Sequence, residues 1–139
     1  MRVRYGRLVL FCVYVDGLLK LLSDAKVGCL YISHVFVVVL SYADDIVLLT
    51  SAARAMRKLL SLCDEFASGL NVLFNAKKSK CLYIRPKEDN KSNCSLKPMF
   101  NIGGNAMEFV RQWPYLGNLI NAICDDNDDI LKKAIQCAD

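Results

Sequence analysis

The sequence predicts a mixed α+β fold, a small antiparallel sheet packed on helices. Two stretches carry apolar residues at spacings of three and four, the period of one helix face, while short β-branched and aromatic runs lie between turn residues. At 139 residues, 54% of them hydrophobic, the chain suits one globular body with a sizeable core.

The first helix is expected over Leu8 to Leu22, where Leu8, Phe11, Cys12, Val15, Leu18, Leu19 and Leu22 fall on one face, and it should end before Gly28. Val27 to Tyr31, Val35 to Ser41 and Ile46 to Leu49 read as strands. Phe36 to Leu40 is apolar on both faces, so it should be a central strand covered on each side. Only Tyr42-Ala43-Asp44-Asp45 separates it from the next strand, which places two adjacent carboxylates at the tip of a buried hairpin.

The second helix is expected over Ser51 to Ser68, with Ala52, Met56, Leu59, Leu60, Cys63, Phe66 and Ala67 inward and Arg54, Arg57, Lys58, Asp64 and Glu65 outward. Thr50 or Ser51 can cap its start and Gly69 can stop it. Val72 to Phe74 and Cys81 to Arg85 are short strand candidates around the basic turn Asn75 to Lys80. Pro86 to Ser95 has loop composition, Phe100 to Val110 reads as a hairpin through Gly103-Gly104-Asn105, and Tyr115 to Ile120 as a further strand. A last helix should begin near Asp126, its acids at the positive end of the dipole.

Composition limits the function classes. The net charge of +4 permits a polyanionic partner without requiring one. Seven scattered cysteines, with no C-x-x-C and a single histidine, His34, exclude a zinc site of usual spacing and fit reduced thiols of an intracellular protein. The basic and apolar start lacks a cleavage site of signal-peptide type, and the run Val27 to Ser41 falls short of the roughly 20 residues that a spanning helix needs, so no membrane partner is expected. Asn90 and Asn93 head glycosylation patterns that matter only for a secreted chain.

Three clusters invite chemistry. Asp44 and Asp45 on a rigid turn could hold magnesium or manganese, since hard cations take carboxylate oxygens, or they could form an ordinary solvated turn. Asp125 to Asp129 resembles a calcium loop superficially but has Ile130 at the sixth place and Gln136 at the twelfth, so helix capping explains it better. Lys77, Lys78, Lys80, Arg85 and Lys87 form a basic strip suited to a phosphate backbone or to a solvated strand edge.

Taken together, SYADDIVLL, the following amphipathic helix, GLNVLFNAKKSKCLYI and YLGNLI, in that order, resemble the palm of a reverse transcriptase of the non-LTR retrotransposon type. LFCVYVDGLL is similar to the helix before the family's catalytic hairpin. The resemblance covers nearly the whole chain: a partial palm over residues 1–120 and the start of a thumb helix over 121–139. It implies RNA-directed DNA synthesis with magnesium or manganese, an RNA template, a DNA primer and deoxynucleoside triphosphates. Asp44 and Asp45 would be catalytic and metal-binding, while Tyr42, Ala43, Lys78, Tyr115, Leu116 and Gly117 would lie at nucleotide and primer, Tyr115-Leu116-Gly117 resembling the family's primer-grip hairpin. The family's earlier metal-binding aspartate and its fingers have no counterpart in these 139 residues, and Gly6-Arg7-Leu8-Val9 lacks the family's Ser-Pro. The chain alone is therefore expected not to polymerise. Two other classes stay open, a non-catalytic nucleic-acid-binding remnant and a secreted or membrane-anchored protein.

Overall fold

In the computed structural model the described residues are 3–28, 30–32, 35–42, 45–84 and 98–123. They form a mixed α+β chain of two helices and ten short strands, divided into two units: Met1–Asn75 with Phe100–Ala106, and Ala76–Met99 with Met107–Asp139. Among the described residues no helix is long and apolar enough to cross a membrane.

The first unit is built on α1 (Val3–Asp24) and α2 (Ala53–Gly69). Leu18 and Leu22 of α1 and Leu59, Leu60, Cys63 and Ala67 of α2 are buried, so the three-and-four spacing read from the sequence marks the core of this unit. The helices approach at Gly17, where a side-chain carbon would stand 3.4 Å from the ring of Phe66. α1 starts earlier than expected and ends on schedule, giving way to a turn before Gly28.

The ends of α2 differ from expectation in an instructive way. Its N-cap residue is Ala52, which has no side chain to offer; the Thr50 hydroxyl instead accepts the Ala52 N–H at 3.2 Å and shapes the entry. At the other end Gly69 still belongs to the helix. The stop is Asn71, at φ +53, with Val72 N–H bonded to Ala67 O at 2.9 Å and Asn71 N–H to Ser68 O at 3.2 Å. This is a Schellman closure, with asparagine tolerating the left-handed conformation that glycine usually fills.

The expected central strand is two strands. β1 (Leu30–Ile32) pairs antiparallel with β2 (Val35–Val37), and β3 (Val39–Tyr42) pairs antiparallel with β4 (Asp45–Leu48). The chain bends at Val38, which is buried, and it changes partner at the bend. Cover on both faces is contradicted: Leu40 is 45% exposed, because a two-stranded ribbon leaves one face to water. Val72 to Phe74 forms no strand; it leaves the Schellman closure with Val72 and Leu73 exposed and finds no ladder among the described residues.

A tight hairpin completes the first unit. β6 (Asn101–Ile102) and β7 (Asn105–Ala106), so numbered to follow β5 of the second unit, join through Gly103-Gly104, both at positive φ as a type I′ turn requires. Ile102 and Phe100 are buried, Arg57 lies 5.8 Å above the Phe100 ring, and Asp64 of α2 accepts the Gly103 N–H at 2.9 Å.

In the second unit β5 (Lys80–Leu82) pairs parallel with β8 (Glu108–Val110), and β9 (Gln112–Tyr115) pairs antiparallel with β10 (Asn118–Asn121). Two expectations need correction here. The stretch Ala106 to Val110 breaks at Met107 and serves two ladders, and Tyr115 to Ile120 is a hairpin turning at Leu116-Gly117 instead of one strand. Positive φ at both Leu116 (+49) and Gly117 (+77) makes this a second type I′ turn, which a reading of apolar runs cannot see because leucine is not a turn residue. The sheet is thus five separate two-stranded ladders, one of them parallel. The Pro86 to Ser95 loop, the helix from Asp126, His34 and the Asp125 to Asp129 cluster lie outside the described residues.

Candidate active site

The β3–β4 hairpin has Val39 opposite Leu48, Leu40 opposite Val47, Ser41 opposite Ile46 and Tyr42 opposite Asp45. That register allows only two residues, 43 and 44, in the connection, so Asp45 is the first residue of a strand and not part of the turn. Residues Ala43 and Asp44 lie outside the described residues. Leu49 N–H extends the ladder to Val38 O at 2.7 Å, and Val38 is buried, so the inner end of the hairpin is anchored in the core.

The outer end is open. Tyr42 is 62% exposed and Asp45 is exposed too, which corrects the expectation of a buried tip. Asp45 makes no ion pair with any described residue. The charge needs no partner from the fold, because the strands carry it out to solvent. The hairpin is thus anchored at one end and carries the exposed Asp45 carboxylate at the other. Among the described residues no three histidine, cysteine, aspartate or glutamate side chains converge.

The other candidates belong to the second unit. Lys78 is exposed on the turn that enters β5, beside exposed Lys77. Lys80 of the same basic strip is engaged: its Nζ lies 2.6 Å from Glu108 Oε2, across the parallel register of β5 and β8. This hydrogen bond and the lysine charge hold the Glu108 carboxyl below its ordinary pKa. Arg85 and Lys87 lie outside the described residues. Tyr115 is half-buried at the end of β9, and Leu116 and Gly117 are exposed at the turn tip. Tyr42 and Asp45 are thus brought together in one hairpin, and Tyr115, Leu116 and Gly117 in another.

Leu116 carries a signal that apolar patterning misses. A γ-branched residue at φ +49 is held in a conformation costing roughly 1–2 kcal/mol relative to the right-handed one. Its side chain is half exposed, so packing does not explain its presence there.

Two thiols are described. Cys63 is buried on α2, and burial first, with the Asp64 charge second, pushes its pKa up to about 12; Cys81 is half-buried and also raised by burial. Neither is poised as a nucleophile, since the thiolate is the reactive form. No protein-family model matches this chain, and no curated protein matches it.

Proposed function

We propose that the chain is a piece of a non-LTR-type reverse transcriptase, the later palm with the start of a thumb, and so part of an RNA-directed DNA polymerase. The observation that carries this reading is the β3–β4 hairpin: anchored at Val38, with a two-residue connection in the sequence and with Tyr42 and Asp45, the first and last residues of Tyr-Ala-Asp-Asp, exposed at its outer end. The second hairpin, turning at Leu116-Gly117 where the resemblance to the primer-grip segment falls, supports it.

In this proposal Asp44 and Asp45 supply the carboxylates for magnesium or manganese, and Tyr42 and Ala43 line the primer end. Lys78 serves the triphosphate, and Tyr115, Leu116 and Gly117 lie along the primer backbone. When bound, the metal supplies charge stabilisation for transfer of a nucleotide to a 3′ hydroxyl. A tip that carries its own charge in solvent suits a reaction on large, polyanionic reactants that must reach it from outside. A purely structural turn would gain nothing from a second carboxylate beside the first. The binding-only alternative is weakened at one cation, because Lys80 is committed to Glu108.

Primer extension on an RNA template tests the proposal. The 139-residue chain alone is expected to give none, since no three metal-ligating side chains converge among its described residues. Supplying a polypeptide with the fingers and the earlier palm strand of a related enzyme should restore extension, and Asp44→Ala should abolish it. Extension by the chain alone above the Asp44→Ala control contradicts the inactivity claim. Restored extension that ignores the Asp44→Ala change contradicts the site.

A further inference from the structure

The helix α1 is apolar round most of its circumference, with no charged residue from Leu8 to Val15. The fold uses one stripe of it, where Leu18 and Leu22 are buried in the core of the first unit. Beside that stripe Val13 is 64%, Tyr14 47% and Leu21 38% exposed. Tyr14 and Leu21, nearly two turns apart, lie one above the other along the helix. The patch runs on to α2, because Gly17 stands against the half-buried ring of Phe66, and Leu70, one turn beyond Phe66, is exposed. A helix whose apolar residues extend past its core-facing stripe has a second surface to cover.

The charges beside the patch select that surface. The charged residues of α1 are Arg4, Arg7, Asp16, Lys20 and Asp24. Asp16, Lys20 and Asp24 are exposed and make no ion pair with any described residue, although Asp16 and Lys20 stand at the four-residue spacing that allows one. Suppose the same helix of a second copy is laid antiparallel, with the two-fold axis level with Leu18. Asp16 then comes level with Lys20 of the second copy, and Lys20 with Asp16 of the second copy, so symmetry makes the pair twice. The same register sets Tyr14 beside Leu21 of the second copy. Arg4 and Arg7 fall beyond the end of the facing helix and Asp24 comes level with Cys12, so no like charges meet. A parallel pair would stack every charge on its own kind. On α2 the exposed charges beside Phe66, Lys58 and Glu65, are of both signs and favour neither orientation.

We infer that this side of α1 is a homodimer interface, where two copies of the chain pack antiparallel. The inference goes beyond the polymerase proposal and does not rest on it, because it uses neither the Tyr-Ala-Asp-Asp hairpin nor a metal nor a nucleic acid.

Sedimentation velocity of the whole chain across the micromolar range is expected to show a reversible monomer–dimer equilibrium, as suits an interface of small area. Tyr14→Glu and Leu21→Glu, each entering the interface twice, should leave the chain monomeric over that range. Lys20→Glu, which sets a carboxylate against Asp16 of the second copy, should weaken the dimer roughly 2- to 30-fold, and adding Asp16→Lys should restore it. Carbodiimide coupling in a mixture of isotopically light and heavy chains should join Asp16 to Lys20 between chains of different label.

The Asp44→Ala, Asp45→Ala double variant should dimerise like wild type, which separates this inference from the polymerase proposal. A chain that stays monomeric throughout overturns the inference. So does a dimer that is equally tight in wild type and in Lys20→Glu, or one coupled only through other residues. The charge-reversal pair leaves the apolar packing intact and decides the matter even if the Tyr14 and Leu21 variants fail to fold. Monomers that bind phosphatidylcholine vesicles, and lose that binding in Tyr14→Glu, would mean that the face meets lipid and would overturn it too.

Discussion

Cys63 and Glu108 give the pH behaviour its two ends. The Cys63 thiol has a folded-state pKa of about 12 against an ordinary 9.0, so folding favours the protonated form. Its contribution is fully present below pH 9 and is lost as pH rises from there toward 12. Urea melts at pH 8 and pH 10.5 should show the loss, and Cys63→Ala should flatten that dependence while costing about 1 kcal/mol at pH 8. Glu108 runs the other way. Its pKa is lowered by Lys80, so its contribution is present above the ordinary carboxylate range and is lost as pH falls through the lowered value. Glu108 is fully exposed, so the effect is small, and an NMR titration of its side chain with and without Lys80→Ala is the measurement that detects it. At Leu116, exchange for asparagine should stabilise the chain by about 1 kcal/mol in thermal melts, because asparagine suits the first position of a type I′ turn. A leucine kept there against conformation points to a use for its exposed side chain.

Elements differ in how plainly the sequence announces them. α2 is legible in nearly every buried position, since burial of Leu59, Leu60, Cys63 and Ala67 follows directly from their spacing. Leu59→Ala should cost about 2–5 kcal/mol in a denaturant melt, as befits a fully buried leucine. Its ends were less legible: the Schellman closure depends on the backbone of Asn71 and Val72, while attention to Gly69 follows composition. The same limit explains the strands. Apolar runs reveal β structure but not where one run changes partner, so the break at Val38 and the break at Met107 come from tertiary pairing alone. The Gly103-Gly104 turn was readable from composition because glycine marks positive φ, while the Leu116-Gly117 turn was anticipated only by the resemblance of Tyr115-Leu116-Gly117 to a family hairpin, because its first residue is not a turn former. Gly103→Ala should test the former: an added carbon would sit 3.0 Å from Phe74 O at φ +56, and a loss of roughly 1–2 kcal/mol is expected.

For the molecule as a whole, the two units divide the candidate chemistry. The acidic hairpin and the exposed side of α1 belong to the first and the basic turn to the second. The sequence made the acidic pair conspicuous, because adjacent carboxylates inside LSYADDIVLL violate apolar patterning. It gave less notice of Val13, Tyr14 and Leu21, whose exposure emerges only once the packing of α1 is known. The proposed cation site at Asp44 and Asp45 is read out by calorimetric titration of the chain with magnesium and manganese. A saturable heat is expected that vanishes in the Asp44→Ala, Asp45→Ala double variant while the variant's thermal melt stays near wild type. Identical heats from the two proteins would contradict a cation site there and reduce the acidic pair to a solvated turn.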